Sequence, residues 1–130
     1  MKTAVLAALV LMSGASFAFG AVVDATGGLV RTLDRMTGTI ADYDLAAGQS
    51  QALGHLNVTL DACRYPDDLP TGEAFAHVTI IDLETATPVF QGWMIASSPA
   101  LSALDHPRYD VWVLRCDVPE STVAAEGSGG

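Results

Sequence analysis

At 130 residues and a formal net charge of −9, with fifteen acidic side chains against six basic ones, the chain has room for one domain and not two. The acid excess argues against nucleic acid and against anionic membrane surfaces, since both need a positive patch. Half of the residues are hydrophobic, so a core can form, but a chain this short buries only about 65% of its extended surface and folds with a modest margin.

Lys2, the apolar run from Ala4 to Met12 and the small residues after it follow the order of a secretory signal peptide over residues 1–20, with cleavage predicted after Ala18 or Gly20. The run is too short to span a bilayer, and nothing later approaches the ~20 apolar residues a spanning helix needs. An exported product is expected, periplasmic in the first instance and secreted as the alternative, and not an integral membrane protein after cleavage. No cysteine stands near the cleavage point, which excludes a lipid attached through an N-terminal cysteine. Loss of the leader leaves five arginines against all fifteen acids. Solubility is the plain reading of that charge; a cationic or calcium-binding partner is the functional one.

A single β-rich domain is expected over 21–116. Leu29 to Leu33 and Thr39 to Leu45 read as hairpin arms around Asp34-Arg35-Met36-Thr37-Gly38, with Gly38 in a left-handed bulge position. Gln51 to Leu53 is a short strand stopped by Gly54. His55 to Cys63 alternates with period two, Leu56, Val58, Leu60 and Ala62 on one side and His55, Asn57, Thr59 and Asp61 on the other, the pattern of a half-buried strand. Arg64 to Glu73 is a polar loop without the spacing of an EF-hand. Ala74 to Leu83 has a β-branched centre that suits a sheet. Val89 to Ile95 returns as its partner, with Gly92 marking a bulge or a close approach. Ser98 and Pro99 suit the N-cap and first position of a short helix, which Pro107 ends. Val111 to Leu114 is nearly continuously apolar, as in a strand covered on both faces. Residues 117–130 read as a disordered tail.

Two cysteines, Cys63 and Cys116, in an exported chain suggest a bridge. It would close a loop of roughly 50 residues, for which chain entropy predicts on the order of 4 kcal/mol. Strand alternation raises a difficulty. By parity Cys63 falls on the polar face of its strand, whereas Cys116 shares a face with Trp112 and Leu114; the parity can break at the strand end, where Arg64-Tyr65-Pro66 begins the loop, so the Cys63–Cys116 bridge is still expected. The pattern as a whole predicts an all-β fold, a small sandwich or partly open barrel of six to seven strands with one short capping helix.

The segments "RTLDRMTGTI", "GQS…LG.L.VTL.AC" and above all "F.GWM.ASSP.LSAL.HP.YDVWVL.C" resemble the bacterial exported family catalogued as domain of unknown function 2155, over roughly Val30 to Cys116. The resemblance implies a small exported protein with two matching cysteines and no assigned activity, so it carries over no catalytic residues. The departure is "YPDDLPTGE", a loop expected to be richer in proline in relatives.

Chemistry is weighed against structure at each candidate. Ser97, Ser98 and Ser102 stand near Asp105 and His106, but adjacent acid and histidine project differently, and no G-x-S-x-G elbow is present. His55, His77 and His106 are each alone in sequence, so neither a metal nor another cofactor is expected. Asp42/Asp44 and Asp67/Asp68 could serve glycoside chemistry only if two carboxylates faced each other across a cleft; Asp42 and Asp44 share one strand face and read as solvated. Trp112, between Val111 and Val113, reads as core; Trp93, beside Gly92, is open between core and an aromatic platform. Trp93, Met94, Asp105, His106, Tyr109 and Asp110 form the candidate binding surface. The leading reading is a non-enzymatic exported domain that binds an envelope protein or stabilises an assembly. The alternative is a small-ligand binder seating a cell-wall fragment or sugar on Trp93. A third is a hydrolase using His106 with Asp105 or Asp110.

Overall fold

The computed structural model describes residues 21–119; the expected leader and residues 120–130 of the expected tail lie outside them. Eight antiparallel strands form two sheets, and neither closes into a barrel. The strands are β1 (Val22–Asp24), β2 (Gly27–Asp34), β3 (Thr39–Ala46), β4 (Ser50–Leu53), β5 (Leu56–Pro66), β6 (Phe75–Asp82), β7 (Thr87–Ile95) and β8 (Tyr109–Cys116). One sheet runs β1-β5-β6-β7, with β4 paired to β5 beside β1; the other runs β3-β2-β8. The two pack face to face, and Val30, Leu45, Val58, Leu60, Val78 and Val113 are buried between them. Each such side chain contributes about 1.5–3 kcal/mol of transfer free energy.

The expected β2–β3 hairpin forms as its turn chemistry dictates. Gly38 takes φ +73°, its N–H donates to the Asp34 carbonyl at 2.8 Å, and the Asp34 carboxylate accepts the Met36 N–H at 3.0 Å. β1 had no counterpart in the sequence reading. Its pairing with Arg64–Pro66 is what extends β5 past Cys63 into the stretch read as a loop. A three-residue strand carries too little periodicity to be legible.

Three expectations are corrected. The short helix is a single 3-10 turn, Pro99–Leu101, and the Ser98 side chain makes no capping hydrogen bond. Ser98 has an extended φ, and too few residues precede Pro107 to propagate a helix. Gly92 is not a bulge: it pairs in register with Val78, and the irregularity of β7 falls between Pro88 and Phe90. A Cβ at Gly92 would meet only the Phe90 ring, with Cζ at 3.7 Å. β8 is covered on one face only. Tyr109, Val111 and Val113 point into the core, while Asp110, Trp112 and Leu114 are half-buried on the outer face, so Trp112 is not a core residue.

The cysteine difficulty is resolved by two β-bulges. In β5, Asp61 and Ala62 together oppose His77, between the Leu60–Val78 and Ala62–His77 pairs. The extra residue reverses the parity of the strand, so Cys63 and Tyr65 follow Leu56, Val58 and Leu60 onto the inner face. In β8, Leu114 is the extra residue between the Val113–Val30 and Arg115–Leu29 pairs, and Cys116 turns inward. The cysteines form a disulfide between the two sheets, with Cα atoms 5.6 Å apart. Gly28 lies against it: a Cβ there would sit 2.9 Å from Cys63 Sγ and 2.9 Å from the Arg115 carbonyl oxygen. Past Cys116 the chain still touches the body, with Asp117 N–H donating to the Gly27 carbonyl at 2.8 Å and Val118 packed on the core.

Candidate functional site

The β5 bulge that buries Cys63 also builds the most exposed aromatic feature of the domain. On the outer face of the larger sheet, Asp61, His77 and Trp93 form a row across β5, β6 and β7, because His77 pairs with Ala62 on one side and with Trp93 on the other. The Asp61 carboxylate accepts from His77 Nδ1 at 2.7 Å and from the Thr79 hydroxyl at 2.7 Å. So held, the imidazole meets Trp93 edge to face, with ring centroids 5.2 Å apart and planes at 79°, a favoured aromatic geometry.

Arg64 completes the grip. Its guanidinium carbon lies 4.9 Å from the centre of the Trp93 ring, a cation–π contact, and its Nε donates to Asp24 of β1 at 2.8 Å. Trp93 is therefore oriented by two polar side chains, each anchored by its own carboxylate, yet it remains 39% exposed. Val22, Phe75, Trp93 and Ile95, with the Arg64 stem, line a shallow depression of about 290 Å³. The surface is apolar with one cation at its rim. It offers a stacking platform and no nucleophile.

Met94, the neighbour of Trp93 in the expected surface, faces the other way. It is 1% exposed, because consecutive strand residues point to opposite faces. The remaining expected residues gather elsewhere, where the β2–β3 turn meets the start of β8. Arg35 reaches Asp110 with Nε at 2.9 Å and a second nitrogen alongside, and donates to the His106 carbonyl at 3.3 Å. Arg108 pairs with Asp34 through Nε at 3.1 Å and a terminal nitrogen at 2.9 Å. Arg108 beside Asp34 holds that carboxyl below its usual range, against a smaller opposing effect of burial.

His106 Nδ1 accepts the backbone N–H groups of Arg108 and Tyr109 at 3.1 and 3.2 Å. That leaves the ring proton on Nε2, 3.7 Å from Asp82. Tyr109 is buried under the Arg108 guanidinium, 5.1 Å away, and Asp105 is exposed. This cluster is a clamp that fixes the turn to the last strand. The expected surface thus divides into two places on different sheets.

Ser97 of the hydrolase reading is engaged apart from His106. Ser97 gives its hydroxyl to Glu73, whose other oxygen accepts the Ala74 and Ser97 N–H groups at 2.9 and 3.0 Å. Burial works to raise the Glu73 carboxyl, but these three donors outweigh it and hold it below the usual range. Among the described residues no group of three or more histidine, cysteine or acidic side chains could hold a metal ion, and no helix is long and apolar enough to cross a membrane.

The candidate surface expected from sequence includes Trp93 but not Arg64, His77, Asp61 or Phe75. The outward face of Asp61 was legible from alternation, whereas Arg64 fell in the stretch expected to be a loop. Their meeting depends on cross-strand register and on the bulge, which no local pattern encodes.

A family model described as "Uncharacterized protein conserved in bacteria (DUF2155)" matches residues 28–116. The chain belongs to this family. The matched span starts at the glycine that makes room for the disulfide and ends at its second cysteine, so it encloses Arg64, His77 and Trp93 and leaves out Val22 and Asp24 of β1. The chain is also similar to an uncharacterised protein of Rickettsia prowazekii (strain Madrid E), at 31% identity over 94 residues. The alignment covers 70% of this chain and 61% of that relative. No solved structure matches.

Proposed function

We propose that this family member is an exported, non-enzymatic β-domain that binds an envelope protein through the outer face of its larger sheet, centred on Trp93. The observation that carries the reading is a tryptophan left 39% exposed on β7, flanked by Phe75 and Ile95 and oriented by Arg64 and His77. Exposed aromatic residues with a neighbouring arginine are the usual energetic centres of protein interfaces. A ring already fixed by its neighbours loses little freedom on binding. An inter-sheet disulfide in so small a domain suits an oxidising compartment, which supports export.

The test is a photo-crosslinking residue at position 93, with the same residue at position 83 as a control; Leu83 is also exposed but lies in the turn between β6 and β7. A discrete adduct from position 93 in intact cells, lost in Arg64→Ala, is the expected result. Equal background from both positions would overturn the reading.

The depression beside Trp93 favours one second reading, a small ligand such as a cell-wall fragment stacked on the indole. In a Trp112→Phe background, titration with muropeptides should then shift or quench Trp93 emission. Unchanged emission with every fragment would exclude it.

A further inference from the structure

β3 differs from the other strands at the sheet margins. It pairs with β2 in unbroken register over all eight residues, Thr39 to Ala46, and, among the described residues, with no other strand. β7 carries Pro88 and an irregular register, β8 carries the Leu114 bulge, and β4 has only four residues. Gln49 takes the N–H and C=O of Ala46, but short of that end alternate residues of β3 turn their backbone N–H and C=O to an open side, the geometry that accepts an added strand.

Beneath that edge the two sheets part. Between the inner side of β3 and the facing β4 lies a cleft of about 380 Å³, lined in the main by Ala41, Tyr43, Leu53, Tyr109 and Val111, with Thr32 at its floor. Its size is at the lower end of the roughly 300–1,000 Å³ of ligand sites. β3 itself is poorly covered on this side: of its inward residues only Leu45 is buried. A strand added to β3 would point alternate side chains into this space and the others outward, level with Asp42 and Asp44.

We propose that the free edge of β3 binds an extended polypeptide segment that alternates small apolar with basic residues, the apolar set filling the cleft and the basic set facing the acids of β3. Charge selects this occupant. Asp42 is matched by Arg31 at 2.8 Å, but Asp44 stands beside Asp117, two acids together at one end of the edge. A second copy of β3 would set these aspartates against their own counterparts, and like charges placed opposite destabilise a pair. A small molecule would fill the cleft and leave the backbone edge unpaired. The site lies on the smaller sheet and does not depend on the Trp93 surface.

The test uses the processed full chain, isotope-labelled, and a capped peptide of four Lys-Val repeats. Amide shifts should move along Thr39–Leu45 and at Leu53 and Tyr109. A Glu-Val peptide should bind at least tenfold more weakly. N-methylation of one alternate set of peptide residues should abolish binding, and of the other set should leave it intact, which distinguishes strand addition from charge attraction alone. Asp44→Asn with Asp117→Asn should weaken the lysine peptide severalfold. Ala52→Trp, at an exposed position on the cleft mouth, should do the same without lowering the melting temperature. Unmoved β3 amides at millimolar peptide, equal effects of the two N-methyl sets, shifts confined to the Trp93 face, or concentration-dependent self-association through β3 would each overturn the proposal.

Discussion

Cys63 reaches Cys116 because each lies just beyond a β-bulge in its own strand, at Asp61–Ala62 in β5 and at Leu114 in β8. Without the extra residue either cysteine would face solvent, and the sheets would lose their covalent tie. Deleting Asp61 should restore simple alternation, turn Cys63 outward, and leave free thiols after oxidation. Mass spectrometry of alkylated protein reads this directly. A quantitative bridge in the deletion variant would show that the bulge is not what places the cysteine.

The bridge itself should carry a large share of the stability. It joins residues 53 apart in sequence, for which chain entropy gives about 4 kcal/mol, against total stabilities of about 5–15 kcal/mol for native domains. Cys63→Ala with Cys116→Ala should lower the unfolding free energy obtained from urea titration by most of that amount, seen as a lower midpoint. A midpoint unmoved by the double substitution or by reductant would contradict it.

Two glycines should respond oppositely to alanine. Gly54 has φ +54°, and a Cβ there would lie 2.2 Å from the Tyr109 hydroxyl oxygen; it is both strained for an L side chain and sterically blocked. Gly54→Ala should cost more than about 1 kcal/mol. Gly92 has ordinary extended backbone and open contact, so Gly92→Ala should stabilise by about 0.5–1 kcal/mol. Paired denaturation curves decide both.

Acid and neutral stability should be governed by different aspartates. The Asp34 carboxyl is held down by Arg108, with the Met36 N–H helping and burial opposing. Its contribution is complete above the unfolded value, near 3.8, and is lost as pH falls through the lower folded value. Asp117 runs the other way: burial first and then Asp44 push its carboxyl up, against a smaller pull from Arg115. The folded and unfolded states are equally protonated at low pH. As pH rises from the unfolded value through the raised folded one, the unfolded chain ionises first and stability falls, and the loss persists to neutrality. Asp117→Asn should therefore raise the melting temperature at pH 7 and leave it unchanged in strong acid. Asp34→Asn should flatten the acid limb. Melting curves from acid to neutral pH test both, and a lower neutral melting temperature for Asp117→Asn would refute the first.

Trp93 should contribute little to folding. Trp93→Ala should cost less than about 1 kcal/mol, whereas Ile80→Ala, at a fully buried position, should cost about 2–5 kcal/mol. A large loss on Trp93→Ala would mean the indole holds the sheet together.

By itself the amino-acid sequence determined the class of the fold and the positions of most strands. Period-two alternation in Leu56–Leu60, the β-branched centre of β6 and the turn residues around Gly38 are local properties, written in neighbouring side chains. The pairing of the two cysteines also followed from their number and the expectation of export. Only the tertiary structure decided which face each residue takes beyond a bulge, since one inserted residue reverses every later side chain and is specified by the partner strand rather than by its own. For the same reason it alone joined Arg64, His77 and Trp93 into one surface, sent Met94 to the core and Trp112 out of it, and left the edge of β3 without a neighbour.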